Sequence, residues 1–260
     1  MTATPYLDAP FVALAHRGFS LHGLENSLRA FEAARDLGYR YVETDAHGTS
    51  DGVAVALHDA TLDRTTDATG VVAALPWAVV ARARIGGVEP VPRLDDLLGS
   101  WPDLRVNIDV KGDSAVRPVA EAIERTSAHD RVCVTSFSVA RRRATVARLS
   151  RPVATSAGQG EVLRFLLGVR GRSRGAVMRA LREVDCLQVP VTQGPVRVVS
   201  ARNLAAAHRV GRQVHVWTID DPAEMRRLLD LGVDGIVTNR ADLLRDVLAE
   251  RGIPLAPDGR

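Results

Sequence analysis

The sequence predicts one TIM-type (β/α)8 barrel with a small insertion after the third strand. Strand-like apolar runs alternate with helix-like segments along nearly the whole chain, a pattern typical of a parallel sheet with helices outside it. The length of 260 residues suits such a barrel, which needs about 250. No linker, fixed repeat or low-complexity tail is visible, so residues 1–260 are predicted to form a single domain, with the insertion at about 60–92.

The predicted strands are short apolar runs bounded by Gly, Pro, Asp or Asn. In chain order they are Phe11–Ala15, Tyr41–Asp45, Val53–His58, Leu104–Val110, Arg131–Ser136, Val153–Ser156, Cys186–Pro190, Gln213–Ile219 and Gly235–Asn239. These are nine runs, one more than the barrel needs. The gap between Asp45 and Val53 is too short for a crossover helix. The third run is therefore either a hairpin arm or a strand whose crossover has lost its helix.

The predicted helices carry apolar residues at intervals of three and four. They are Asn26–Leu37, Trp77–Arg84, Arg93–Leu98, Ser114–Ser127, Val139–Leu149, Glu161–Val184, Val198–Val210, Pro222–Leu231 and Ala241–Arg251. Gly38 ends the first, and Pro222 occupies the first position of the eighth. The Arg/Gly/Ser stretch at Arg170–Gly175 divides the long sixth segment into two helices.

Composition excludes several classes of protein. A hydrophobic fraction of 46%, a charged fraction of 25% and a net charge of +3 are typical of a soluble globular protein. Aromatic residues make up only 4%, which argues against a base-stacking nucleic-acid surface, and no apolar run approaches the ~20 residues that span a bilayer. Cys133 and Cys186 are predicted to be reduced core residues. With no leader-like N-terminus, we expect a cytoplasmic location; the oligomeric state stays open.

Lys111 stands out because it is the single lysine among 34 basic residues, which leaves 33 arginines. A lysine that persists against such a preference is expected where a compact point charge fits and a guanidinium fork does not. The alternative is chance survival of a surface lysine.

The hairpin region gathers polar residues at one level. Glu43 and Asp45 are two apart on a strand and therefore share a face. Asp51-Gly52 is a strong turn signal that returns His58 to the level of Asp45. A solvated edge hairpin would show a similar alternation of polar residues. Polar residues on the other strands are therefore needed to distinguish such a hairpin from a functional site.

A second pair of charges lies on the Leu104–Val110 strand. Parity places Asp109 and Lys111 on one face, with Val106, Ile108 and Val110 against the helices. Catalytic residues of such barrels lie at the carboxyl ends of the strands, where this pair falls.

The strand-end residues suit one kind of chemistry. The carboxylates Glu43, Asp45 and Asp109 suit one hard divalent cation, Mg²⁺ or Ca²⁺. Arg17 and Lys111 suit an anionic group, best a phosphate. The residues together predict metal-assisted phosphoryl transfer.

Two histidines, His16 and His58, complete the set as a general acid and base. Of the other five, His22 is predicted in a loop, His47 either near the site or exposed, His129 and His208 at the surface, and His215 in the barrel core. The Arg141–Arg143 run and the Arg170–Arg174 segment are predicted to be solvated faces; contact with an anionic membrane or polymer is the less favoured alternative.

The motifs resemble those of the glycerophosphodiester phosphodiesterase family from about Val12 to Leu244. They are Ala15-His16-Arg17-Gly18, Glu25-Asn26-Ser27, Glu43-Thr44-Asp45, Asp51-Gly52, His58-Asp59, Leu62-Asp63-Arg64-Thr65-Thr66, Asn107-Ile108-Asp109-Val110-Lys111, Ser136-Phe137, Val216-Trp217-Thr218 and Asp234-Gly235-Ile236-Val237-Thr238. So many matches in order are highly specific.

The resemblance implies the barrel and an insertion that covers the glycerol of the substrate. It implies that His16 and His58 are the acid–base pair, that Arg17 and Lys111 bind phosphate, and that Trp217 packs against glycerol. Glu43, Asp45 and Asp109 would hold one divalent cation. The implied reaction proceeds through a cyclic phosphate and yields glycerol 3-phosphate and an alcohol.

The sequence departs from the family pattern at three positions. Asp109 stands where the family normally has Glu, Leu24 replaces a proline, and Asn239 replaces a common Asp. Two other functions stay open: a lysophospholipase-D-like activity on lysolipid headgroups and a non-catalytic phosphate-binding barrel. The headgroup alcohol and the choice of cation are not determined by the sequence.

Overall fold

The computed structural model describes residues 4–255 and contains a nearly closed barrel of eight parallel strands. The strands are β1 (Val12–His16), β2 (Tyr41–Gly48), β3 (Ala54–Ala56), β4 (Arg84–Ile85), β5 (Glu89–Pro90), β6 (Arg105–Val110), β7 (Val132–Thr135), β8 (Ala154–Thr155), β9 (Cys186–Val189), β10 (Thr192–Gln193), β11 (Val196–Arg197), β12 (Gln213–Val216) and β13 (Gly235–Thr238).

The parallel strands follow the order β8-β7-β6-β2-β1-β13-β12-β9, and a parallel bridge between Ser156 and Cys186 joins the two ends. The predicted TIM-type barrel is thus confirmed. In the register, Asp45 of β2 lies directly opposite Asp109 of β6, and His16 of β1 lies opposite Glu43. Three neighbouring strands therefore bring their polar ends to one place.

The helices cover the outside of the barrel. They are α1 (Leu28–Asp36), α2 (Trp77–Val80), α3 (Leu94–Ser100), α4 (Val116–Arg125), α5 (Val139–Val146), α6 (Gln159–Arg170), α7 (Arg174–Ala180), α8 (Ala201–His208), α9 (Pro222–Leu231) and α10 (Ala241–Glu250). Side chains of Ser27, Ser138, Ser173, Ser200 and Asp221 accept from a backbone N–H three residues on, which fixes five of the helix starts.

The core follows the alternation of the strands. Val106, Ile108 and Val110 face outward into the main apolar cluster beneath the helices, as parity predicts. A smaller cluster that includes Val12, Leu14, Tyr41 and both free cysteines fills the barrel interior. Each buried strand thus contributes one apolar face to the helix layer and uses the other to line the barrel.

The third predicted strand is a hairpin arm. β3 runs antiparallel to β2, with Ala46 opposite Ala56, and Gly52 takes the positive φ of 83° that the turn requires. The insertion that follows contains β4, β5 and α2 and encloses its own apolar cluster around Leu57, Leu62 and Ile85. The one run in excess of the eight barrel strands is therefore the third, which belongs to the hairpin and not to the barrel wall.

Two predicted surface residues are wrong. Within the Arg141–Arg143 run, Arg142 is only 2% exposed because its Nη2 lies 2.7 Å from Oε1 of the buried Glu161. His129 is only 3% exposed because its ring lies between Glu124, whose Oε1 is 3.1 Å from Nε2, and Arg151. His208 is exposed and His215 is fully buried, as predicted. None of the helices between residues 4 and 255 is long and apolar enough to cross a membrane.

Candidate active site

The ends of β1, β2 and β6 build a compact cluster of charges. Glu43, Asp45 and Asp109 are all buried, and Lys111 connects two of them: its Nζ lies 2.7 Å from Oδ2 of Asp109 and 2.9 Å from Oδ1 of Asp45. Asp45 is only 1% exposed, so its charge depends on these neighbours. The alternative of a solvated edge hairpin is therefore excluded for these positions.

Arg17 approaches the cluster from the end of β1. Its Nε lies 2.9 Å from Oδ2 of Asp45, and its Nη1 donates to Oε1 of Glu25 at 2.9 Å. The residue has a left-handed φ of 56°, which turns its backbone N–H toward Oε2 of Glu43 at 3.2 Å. Gly18 follows in the same region, and a Cβ there would lie 2.6 Å from the backbone of Ala30. The tight turn thus holds Arg17 against two carboxylates.

The carboxylates differ in pKa because their partners differ. Burial acts against the charge of Asp45, but Lys111 and Arg17 outweigh it and lower the pKa of that carboxyl. For Glu43, burial and the nearby Asp45 and Asp109 raise the pKa. Burial also raises the pKa of Asp109. The ammonium of Lys111 has a raised pKa because Asp45 and Asp109 more than offset its burial.

The donor set fits a divalent cation in charge and hardness. Glu43, Asp45 and Asp109 carry three negative charges against the two positive charges of Arg17 and Lys111, and Glu43 has no Lys or Arg side chain within ion-pair distance among residues 4–255. Oxygen ligands of this type suit Mg²⁺ or Ca²⁺. In the conformation described, however, no three His, Cys, Asp or Glu side chains of that range are arranged around one point. Lys111 lies between two of the carboxylates, Asp45 and Asp109.

The two predicted catalytic histidines are each anchored through Nδ1. In His16, Nδ1 lies 2.7 Å from Oδ1 of Asn239, and Nε2 faces Glu43 with 3.7 Å to Oε2. In His58, Nδ1 donates to Oδ1 of Asp59 at 2.6 Å. Burial, followed by the charge of Arg17, lowers the pKa of His16. Both rings therefore leave Nε2 free for chemistry.

The hairpin places His58 beside the carboxylates. The N–H of Leu57 donates to the carbonyl of Asp45 at 3.0 Å, so the hairpin arm ends at the level of the cluster. His47, which the sequence left open, is buried and donates from Nε2 to the carbonyl of His58 at 3.1 Å. It therefore supports the backbone of His58.

Aromatic residues form one wall of the site. Trp217, predicted to bind glycerol, is half-buried, and its ring centroid lies 5.8 Å from that of Phe137. Phe137 is 50% exposed, and Nζ of Lys111 lies 5.6 Å from the centroid of its ring. The motif Ser136-Phe137 was visible in the sequence, but no role for Phe137 followed from it. All eight predicted site residues are thus connected to one another by contacts of their side chains, either directly or through one or more intervening residues. Their roles stay predictions.

The sequence did not identify the charged residues around the histidines. Arg64 of the insertion donates from Nε to Oδ2 of Asp59 at 2.6 Å and from Nη2 to Oε1 of Glu25 at 2.8 Å. A continuous chain of ion pairs therefore runs from Arg17 through Glu25, Arg64 and Asp59 to His58. The sequence held one signal for these residues: Glu25, Asp59 and Arg64 all lie within the motifs that resemble those of the family.

The chain is similar to known proteins over most of its length. A family model described as the glycerophosphoryl diester phosphodiesterase family matches residues 16–243. The chain is 48% identical over 242 residues to the "Probable glycerophosphodiester phosphodiesterase 2" of Mycobacterium tuberculosis, which covers 93% of this chain and 92% of that protein.

Solved structures share the fold. A glycerophosphodiester phosphodiesterase from Agrobacterium tumefaciens has a TM-score of 0.72 at 23% identity, covering 91% of this chain and 98% of its own. An Oleispira antarctica phosphodiesterase was solved in complex with the product sn-glycerol-3-phosphate. It has a TM-score of 0.75 at 18% identity, and the match covers 91% of this chain and 96% of that chain.

Proposed function

Because the chain belongs to the glycerophosphoryl diester phosphodiesterase family, we propose that it hydrolyses glycerophosphodiesters to glycerol 3-phosphate and an alcohol with His16, His58 and one divalent cation. The observation that carries the proposal is the pairing of the two histidines. Each is anchored through Nδ1, which leaves Nε2 for proton transfer. Nε2 of His16 lies 3.7 Å from Oε2 of Glu43, and the hairpin arm brings His58 to the level of the same cluster. Geometry of this kind suits transfer of two protons around one phosphorus atom.

The partners of the two imidazoles suggest their roles. Asn239 is neutral, and the pKa of His16 is lowered by burial and by Arg17, so His16 is suited to be the unprotonated base. Asp59 is anionic and can balance the charge of a doubly protonated His58, which is therefore suited to be the acid.

In the first step, Nε2 of His16 removes the proton of the glycerol 2-hydroxyl, and that oxygen attacks phosphorus. The bond from phosphorus to the leaving alcohol breaks, and His58 donates its Nε2 proton to the departing oxygen. A cyclic glycerol phosphate results. In the second step, His58 takes a proton from water and the hydroxide attacks phosphorus. The bond from phosphorus to the glycerol 2-oxygen breaks, and His16 returns its proton to that oxygen. The histidines thereby return to their starting states.

The remaining residues bind and balance charge. Glu43, Asp45 and Asp109 would hold the cation, and a bound divalent ion supplies charge stabilisation to the phosphoryl oxygens. Arg17 and Lys111 would bind the phosphate, and Trp217 with Phe137 would pack against the glycerol. A cytoplasmic location stays a prediction.

A single assay tests the proposal against its alternatives. Purified protein is incubated with glycerophosphocholine, glycerophosphoethanolamine or lysophosphatidylcholine, each with Mg²⁺, Ca²⁺ or EDTA. We expect metal-dependent release of glycerol 3-phosphate from the first two. Turnover of lysophosphatidylcholine alone would favour the lysophospholipase-D-like activity, and turnover of none would favour a non-catalytic phosphate-binding barrel.

A further inference from the structure

A stretch of the outer helices carries a concentrated positive charge. Residues 162–182, which include most of α6 and all of α7, contain six arginines and no Asp or Glu. The stretch has a charge of +6, whereas the whole chain has +3, so the remaining residues sum to −3. The general preference of the chain for arginine over lysine does not explain why residues 162–182 contain no acidic residue.

Most of this charge is not neutralised locally. Arg164, Arg170, Arg172, Arg174 and Arg179 are exposed, and none of them has a carboxylate within ion-pair distance in the part of the chain that the structure describes. Exposed arginines of α9 behave differently: Arg226 pairs with Glu250, and Arg227 pairs with Glu224. The positive potential above α6 and α7 is therefore available to a partner.

The arginines converge on a groove between α7 and α8. Its volume is about 240 Å³, and its lining within residues 4–255 contains no carboxylate. Its arginines are Arg172, Arg174, Arg202 and Arg209. Arg202 is held in place by a hydrogen bond from Nη2 to the carbonyl of Val169, and the apolar floor includes Val177. Several guanidinium groups around a concave site suit phosphate oxygens.

Large apolar side chains are exposed beside the arginines. Leu163 and Leu167, one turn apart on α6, are 58% and 59% exposed, and Met178 of α7 is 52% exposed. Leu167 lies in a neighbouring groove with Arg164 and Arg179. A basic surface with protruding apolar side chains is typical of protein segments that lie at the interface of an anionic membrane.

We propose that this surface, which we call the α6–α7 basic surface, docks on a bilayer that contains anionic phospholipids. Phosphate groups of the lipids would meet the arginines, and Leu163, Leu167 and Met178 would enter the interfacial layer. A bilayer fits better than a nucleic acid because the only aromatic residue of the stretch, Phe165, is buried, so no ring is available for stacking on a base. None of the proposed catalytic or cation-binding residues belongs to this surface.

Co-sedimentation with vesicles tests the proposal. The full chain is mixed with vesicles of phosphatidylcholine alone or of phosphatidylcholine with an equal amount of phosphatidylglycerol. We expect binding only to the anionic vesicles, and weaker binding when NaCl rises from about 50 to 500 mM. The variant Arg172→Gln/Arg174→Gln/Arg209→Gln should bind about 100-fold more weakly, since each arginine near an anionic surface contributes roughly fivefold. The variant Leu163→Gln/Leu167→Gln should bind about tenfold more weakly because it removes apolar insertion.

The matched control is Arg226→Gln/Arg227→Gln/Arg245→Gln, which removes the same total charge from arginines that pair with carboxylates. It should bind anionic vesicles within about twofold of the unchanged chain. Circular dichroism and thermal unfolding verify that all variants are folded. Equal loss of binding in the control, equal binding to both kinds of vesicle, or binding of a single-stranded oligonucleotide without binding of vesicles would each overturn the proposal.

Discussion

Oδ1 of Asp59 lies 2.6 Å from Nδ1 of His58, at the point where the hairpin passes into the insertion. The same carboxylate is bound on its other side by Arg64, which also binds Glu25. Glu25 in turn accepts a hydrogen bond from Arg17. The orientation of the His58 ring is therefore connected, through three charged residues, to the arginine proposed to bind phosphate.

Substitution of Asp59→Asn tests this relationship. An amide can present N–H to Nδ1, which would place the proton of a neutral His58 on the wrong nitrogen. We expect kcat to fall about 10²- to 10⁴-fold with a smaller change in KM. ¹⁵N NMR of the imidazole should show a change in tautomer.

The matched control for this position is Asp63→Asn. Asp63 belongs to the same insertion, but its carboxylate accepts from the N–H of Gly70. Activity of this control should stay close to that of the unchanged chain. An unchanged kcat in the Asp59 variant would show that the carboxylate has no part in catalysis.

Removal of either histidine side chain should abolish most turnover. For His16→Ala and for His58→Ala, we expect kcat to fall about 10²- to 10⁴-fold, because each ring is proposed to transfer a proton in both steps. Circular dichroism should show retained folding. His22→Ala, which removes an exposed loop histidine, serves as the control. Turnover at the normal rate in either test variant would remove that histidine from the mechanism.

The barrel and the positions of its charges were predictable because both depend on short-range patterns. Alternation along β6 placed Asp109 inside and Ile108 outside, and the Asp51-Gly52 turn returned the chain toward Asp45. These features need only the geometry of a strand or a turn. They therefore required no knowledge of how distant segments meet.

The partners of the histidines were not predictable in the same way. Asn239 is 223 residues away from His16 along the chain, and Arg64 is 39 residues away from Glu25. Such contacts depend on side-chain conformations at the meeting of loops, which leave no periodic signal in one sequence. His129 was wrongly predicted at the surface for a similar reason, since its burial depends on Glu124 and Arg151.

The single lysine gives a further test. Nζ of Lys111 lies between Asp45 and Asp109, at 2.9 and 2.7 Å, and its side chain is only 18% exposed. A guanidinium is larger and planar, so it cannot occupy this point without displacing a carboxylate. We expect Lys111→Arg to lower kcat/KM about 100-fold although the charge is kept.

Arg143→Lys is a suitable control, because Arg143 is exposed and forms an ion pair with Glu183. It should leave kcat/KM unchanged. Normal activity of the Lys111 variant would contradict the argument from the single lysine.

Binding of the proposed cation can be measured without an activity assay. After treatment with EDTA, addition of Mg²⁺ or Ca²⁺ at about 100 times its Kd should stabilise the fold by about 2.7 kcal/mol, which thermal unfolding detects. Asp109→Asn should weaken the binding at least about tenfold because it removes one ligand charge. Asp109→Glu should preserve it, since glutamate is normal at this position in the family that the motifs resemble.

Asp113→Asn, at an exposed carboxylate near Asp109 in sequence, is the control for this experiment. It should bind the cation as the unchanged chain does. A thermal shift that is equal in the Asp109→Asn variant and in the control would exclude Asp109 as a ligand.

The orientation of His16 depends on a second carboxylate that does not touch it. Asp220 accepts two hydrogen bonds from Asn239, from the backbone N–H and from Nδ2, both at 2.8 Å. Since Nδ2 donates to Asp220, the remaining Oδ1 of the amide must accept from Nδ1 of His16. The proton of a neutral His16 is therefore held on Nδ1, and its Nε2 is left unprotonated, as the proposed role of base requires.

Exchange of the two side-chain types tests this arrangement. Asn239→Asp alone places two carboxylates in contact, so we expect lower thermal stability and a kcat reduced about 10- to 100-fold. Asp220→Asn alone removes the charge that orients the amide and should also reduce kcat. In the double variant Asn239→Asp/Asp220→Asn, one carboxylate and one amide are present again, with the carboxylate now facing Nδ1 of His16. We expect recovery of stability and of most of the activity, and failure of this rescue would show that the contact between Asp220 and Asn239 does not position His16.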